Sequence, residues 1–157
     1  MFFGAACTQA QSDAACQLQG PYGSTTELAN ALLDGLRQSD KSALHRLLIS
    51  ETEFRQQLWP RFPASSPDWN VPVTDAWTLH AASTEKALER ALRDWGGVEL
   101  HLRRIGFRGP KQDYGSFELY RKAVIEAETA TGDVVELDFT GSVVACGNGV
   151  KLLSYRD

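Results

Sequence analysis

The stretch TDAWTLHAASTEKALERALRDWGGVELHLRRI, residues 74–105, changes its period once, and that change decides the fold. Trp77, Ala81, Thr84, Leu88, Ala91, Leu92 and Trp95 fall on one stripe at helical spacing, which marks a long amphipathic helix. Gly96-Gly97 is its C-terminal stop, because glycine readily takes the left-handed conformation that closes a helix. Thr74 or Asp75 is the expected N-cap, and Ser83-Thr84 is the place where the helix would divide into two pieces. After Gly97 the period becomes two. Val98, Leu100 and Leu102 alternate with Glu99, His101 and Arg103, which predicts a strand with Leu100 and Leu102 inward and His101 outward.

Downstream the pattern stays extended. Residues 108–115 form a loop, 117–129 a long second strand, and Thr131-Gly132-Asp133 a hairpin turn. In 134–144, Val135, Leu137 and Phe139 take the buried side while Glu136 and Asp138 face out. Gly147-Asn148-Gly149 reads as a tight turn into a last strand over 150–155. No crossover helix fits between these strands, so the sheet is an antiparallel meander.

Upstream, Ser24-Thr25-Thr26-Glu27 is a capping box opening a helix over 25–38. Leu44, Leu47 and Leu48 mark a short second helix, and Ser50-Glu51-Thr52-Glu53 opens a further turn or two that carries Phe54 and Leu58 and ends at Pro60. Residues 59–73, WPRFPASSPDWNVPV, hold four of the six prolines, with Trp59, Phe62 and Trp69 between them. Proline removes backbone donors and restricts φ, so this is a stiff loop. It either pins aromatics onto the core or closes a pocket as a lid.

A chain of 157 residues, 43% hydrophobic and 23% charged, is one folded α+β unit. Its net charge of −4 argues against a general nucleic-acid binder, which needs a positive field. No run of 18 apolar residues is present, so no transmembrane segment is expected. The basic side chains Arg103, Arg104, Arg108, Lys111, Arg121 and Lys122 cluster in 101–122 against Asp113 and Glu118. They are expected to face the acidic strand that follows, with contact to an acidic partner as the alternative.

Helices, then one long helix ended by glycines, then three or four long antiparallel strands resembles the NTF2-like (cystatin-like) superfamily. The resemblance covers 24–157 and rests on element order. It implies a curved antiparallel sheet wrapping the long helix as a cone with a pocket. The superfamily includes ketosteroid-isomerase-like and polyketide-cyclase-like enzymes, association domains and binding modules. The expected function is therefore non-catalytic binding of a small apolar ligand or a protein partner. A cofactor-free lyase or isomerase and a homodimerising structural domain are the alternatives.

Residues 1–23 lack any period and read as a flexible tail or tether ahead of the domain. Met1-Phe2-Phe3 followed by Gly4-Ala5-Ala6 and Cys7 resembles the end of a bacterial lipoprotein signal peptide, which implies lipidation at Cys7 and a place in the cell envelope or periplasm. If Cys7 is that anchor, Cys16 and Cys146 remain as an even pair able to form a disulfide. The alternative is a cytoplasmic protein with thiols in the tail and a buried Cys146. Neither the cysteine spacing nor His45, His80 and His101 fits a zinc site, so no metal is expected, and no cofactor.

Catalysis of the isomerase type needs a carboxylate or histidine in an apolar pocket. The strand alternation places Glu99, His101, Glu136 and Asp138 on the outer face. His80, bordering the helical stripe, is the remaining candidate base, with Tyr120 or Tyr114 as its assistant across the sheet. The expected pocket comprises Trp59, Phe62, Trp69, Trp77, His80 and Tyr120.

Overall fold

Serine and glutamate side chains start the N-terminal helices. In the computed structural model, which describes residues 16–156, Ser24 Oγ accepts from the Glu27 amide at 3.2 Å and caps α1 (Thr25–Arg37). The Glu27 carboxylate reaches back to the Gly23 amide at 2.8 Å, one residue before the position a capping box would use. After α2 (Lys41–Arg46), Ser50 and Glu53 form the full reciprocal box that opens α3 (Glu51–Glu53). A π turn, Phe54–Leu58, continues it, and the prolines then impose 3-10 turns at Trp59–Arg61 and Pro63–Ser65.

The long helix α4 runs unbroken from Val73 to Trp95. Its N-cap is Pro72, whose carbonyl accepts from the Asp75 and Ala76 amides at 3.1 Å each. Thr74 and Asp75 therefore lie inside the first turn, contrary to expectation, where Asp75 meets the positive end of the helix dipole. The division at Ser83-Thr84 does not occur either. Thr84, Ala87 and Leu88 are buried there, and this packing outweighs the weak helix propensity of Ser and Thr. Gly97, at φ +78°, turns the chain while its amide donates to the Leu36 carbonyl of α1 at 2.9 Å.

Seven strands follow, and every pairing between them is antiparallel. β1 (Leu100–Phe107), β4 (Ala123–Thr129) and β5 (Val134–Leu137) form one sheet in the order β1-β4-β5. β2 (Lys111–Asp113), β3 (Glu118–Tyr120), β6 (Val143–Cys146) and β7 (Gly149–Leu152) form the other, in that order. The strands expected over 117–129 and 134–144 are each split. At Arg121-Lys122 the chain kinks through Lys122 at φ +56°. At Thr140-Gly141, Thr140 Oγ1 donates to the Ala123 carbonyl at 3.0 Å and the Gly141 amide to Ser154 O at 2.9 Å. Those breaks bend one meander into two sheets.

The main core joins Leu28, Leu32 and Leu36 of α1 and Leu88 of α4 to Leu100, Ile125 and Leu137 of the first sheet and to Val143 and Leu152. Glu99, His101, Arg103 and Glu136 are exposed, so the register is the expected one. Leu102 and Phe139, expected to be buried, are half-buried. For Leu102, an irregularity between Leu102 and Arg104 shifts the β1–β4 pairing and turns the strand. On the outer face Arg103 meets Glu128 at 3.1 Å, Arg104 meets Glu126 at 2.7 Å, and Arg108 meets Glu136. These three members of the basic cluster face the acidic strands, whereas Lys111 pairs with Glu118 at 3.0 Å and Arg121 donates to Gln112 at 3.2 Å.

Residues 16–23 do not behave as a tether. The Cys16 amide donates to Ser116 O at 3.2 Å, Tyr22 exchanges two backbone hydrogen bonds with Val150, and Cys16 and Leu18 are buried. Cys16 and Cys146 are joined as a disulfide with Cα atoms 5.3 Å apart. Asn148, in what reads as a plain turn, accepts from the Leu18 amide at 3.0 Å and donates to its carbonyl at 2.8 Å. The docked unit thus begins no later than Cys16. Cys7 and its lipidation lie outside the described residues. Among the described residues no helix is long and apolar enough to cross a membrane.

Candidate functional site

One stripe of α4 forms the wall of a cleft of about 590 Å³. Trp77, His80, Ala81, Thr84 and Glu85 recur at helical spacing and share that wall. Leu48, Ile49 and Ser50, between α2 and α3, stand among the other lining residues. The 16–23 segment contributes Gln19, Gly20 and Tyr22, and Lys151 and Leu153 come from β7 and the residues after it. The volume falls within the range that suits a small molecule.

His80 is held firmly. Its Nε2 lies 2.8 Å from the Leu153 carbonyl. A carbonyl oxygen only accepts, so Nε2 carries the proton and Nδ1 keeps a lone pair. The ring stacks on Phe54 at 5.4 Å and tilts against Trp77 at 5.5 Å. Burial among these rings pushes its pKa below the ordinary 6.5, outweighing the opposing effect of the Leu153 bond. The sign follows. Above pH 6.5 the imidazole is neutral in both folded and unfolded chains. As pH falls below that value, the unfolded chain takes up the proton first and the fold loses stability until the lowered native value is passed. Urea unfolding at about pH 7.5 and about pH 5.5 should show a loss of stability attributable to this ring. His80→Phe should remove it, and an unchanged pH dependence in that variant would refute the assignment.

Beneath the cleft lies a buried ion pair. Lys151 is 5% exposed and Glu53 1%. Lys151 Nζ donates to Glu53 Oε2 at 2.9 Å and to Gln19 O at 3.0 Å. Burial opposes the charge on Glu53, but the Ser50 and Gln19 amides and the Lys151 ammonium together hold its carboxyl below the ordinary value. Nearer solvent, Lys41 pairs with Glu85 and lowers its pKa, and His45 Nε2 lies 2.9 Å from Glu85. Thr84 is the exception to this pairing. Its Oγ1 is buried and has no hydrogen-bond partner among the described residues.

The six residues expected to form one pocket are divided. Trp77 and His80 line the cleft. Phe62 and Trp69 line a second hollow of about 480 Å³ with Tyr114, Leu119 and Ser142, and Trp69 stays 68% exposed. Trp59 lines neither, packing on Phe54 at 5.8 Å. Tyr120 lines neither as well. Its neighbour Leu119 takes the buried side of β3, so Tyr120 turns away to sit 5.2 Å from Phe107, with its hydroxyl donating to Glu118 at 2.9 Å. Neither Tyr120 nor Tyr114 shares the cleft with His80. In the sequence Thr84 reads as a stripe position or helix break and Glu53 as one end of a capping box, while Lys151 carries no assigned role. A lysine inside the apolar run Val150-Lys151-Leu152 was the available signal, since a cation on a buried strand requires a partner.

Among the described residues no three His, Cys, Asp or Glu side chains gather as a metal centre would need. Comparison of the chain with protein-family models, with curated proteins and with solved structures finds no match in any of the three.

Proposed function

We propose that this chain is a non-catalytic binding domain of NTF2-like type whose cleft along α4 takes a small, largely apolar ligand. The observation that carries this is the continuous α4 wall, apolar at Trp77 and Ala81, facing Ile49 and Leu153 across a volume of about 590 Å³. Helices against a bent antiparallel meander support the family reading. The Cys16–Cys146 disulfide supports the cell envelope, where such bonds persist. Binding is preferred to the lyase or isomerase alternative because neither expected tyrosine shares the cleft with His80. It is preferred to homodimerisation through the outer sheet face because that face carries the Arg103, Arg104 and Arg108 ion pairs.

N-phenyl-1-naphthylamine, a neutral apolar dye, should bind saturably with one dye per chain. Ala81→Trp, which fills the cleft, should abolish that binding while the variant still melts cooperatively. Trp69→Ala, in the second hollow, should leave it intact. Absence of saturable binding, or full binding by folded Ala81→Trp, would overturn the proposal.

A further inference from the structure

We infer that the cleft selects a neutral apolar molecule bearing a hydroxyl group, an alcohol or a phenol, held between Thr84 and His80. This rests on the binding reading above and specifies its ligand. Thr84 lines the cleft, is 6% exposed, and has a side-chain oxygen with no hydrogen-bond partner among the described residues. A buried unpaired hydroxyl raises the free energy of the fold, and valine would fill the same shape without that cost. As placed, it is satisfied by none of the described residues. Threonine in a helix populates two χ1 rotamers, so a rotation about χ1 re-aims Oγ1 without moving the backbone.

His80 sits one helical turn before Thr84 on the same face. Its Nε2–H is committed to Leu153 O, so the ring has only the Nδ1 lone pair left to offer. A ligand hydroxyl matches both groups, donating to His80 Nδ1 and accepting from Thr84 Oγ1–H. An ether or ketone can only accept, which leaves the imidazole unsatisfied. Ionic ligands fit less well, because the lining carboxylates and Lys151 are already paired. Glu85 pairs with Lys41 and His45, Glu51 with Arg55, and Lys151 with Glu53. Arg46 is exposed and donates to Ser42.

The test compares 2-naphthol with 2-methylnaphthalene, alike in shape except for hydroxyl against methyl, in ligand-observed NMR titrations. Wild-type protein should bind 2-naphthol about tenfold more tightly, the margin of a well-made polar contact in a dry site. Thr84→Val should erase that margin without weakening 2-methylnaphthalene, and Thr84→Ser should retain it. Thr84→Val should melt no lower than wild type. A lower melting point would show that the hydroxyl has a partner within the chain, and would overturn the inference. Equal affinity for the two probes, or a margin that survives in Thr84→Val, would also overturn it and leave the binding reading standing. Binding of neither probe would overturn both.

Discussion

Glu53→Gln is expected to destabilise the fold by about 3–5 kcal/mol, because it leaves the Lys151 ammonium buried without a counter-charge. The carboxylate does more than balance charge. Oε2 accepts from the Ser50 amide at 2.6 Å and Oε1 from the Gln19 amide at 2.5 Å, with Lys151 reaching both oxygens. An amide side chain has only one acceptor oxygen, so in either orientation its NH₂ confronts another donor. One carboxylate thereby caps α3, anchors the 16–23 segment and neutralises β7. In a domain of this size the loss should appear as a fall of roughly 10 °C in melting temperature. Lys151→Met should cost a similar amount. The double variant Glu53→Leu/Lys151→Met should cost much less than the two single changes together, since no unpaired charge remains. Urea unfolding of the three variants measures this, and a single-variant loss under about 1 kcal/mol would rule out the buried pair. The contribution is fully present above pH 4.5, the ordinary value, and fades as pH falls through the lowered native value.

Reducing the Cys16–Cys146 disulfide is the second large perturbation. The bond closes a sequence separation of 130 residues. By the chain-entropy argument, opening a loop that long costs about 4–5 kcal/mol, with about 2–5 typical of native disulfides. Unfolding with and without reductant, followed by tryptophan fluorescence, should show a difference in that range. Under about 1 kcal/mol would show that the 16–23 segment is held by its hydrogen bonds alone. Because Gln19, Gly20 and Tyr22 line the cleft, dye affinity should fall in the reduced protein as well.

Local pattern was sufficient for much of this architecture. Ser24 and Ser50 mark helix starts because a hydroxyl three residues before an amide is a local geometric fact. Gly96-Gly97 ends α4, and the alternation of Leu100 and Leu137 with His101 and Glu136 sets the sheet's sidedness, because both periods are properties of the backbone itself. Where the chain departs from these expectations, a distant contact is responsible. Thr84 keeps α4 continuous because it is packed, and Gly141 breaks the strand because Ser154 arrives beside it.

The cleft belongs to the second category. Trp77 and His80 lie on a readable stripe, so their side of the wall was visible in the sequence. The opposite side comes from residues 19–22, 48–50 and 151–153, which share no local spacing and meet only when the chain closes on itself. The division of the aromatics follows the same rule: proline content announces a stiff loop, but only packing against Phe54, Phe117 and Tyr114 decides where Trp59 and Phe62 point. The sequence by itself determined the N-caps of α1 and α3, the change of period at Gly97, the antiparallel meander and its buried face, since each depends on backbone geometry within a few residues. Only the tertiary structure decided that Glu53 meets Lys151, that His80 spends its proton on Leu153 and that Thr84 is left unpaired, because hydrogen-bond satisfaction in a buried site is set by groups far apart in the chain.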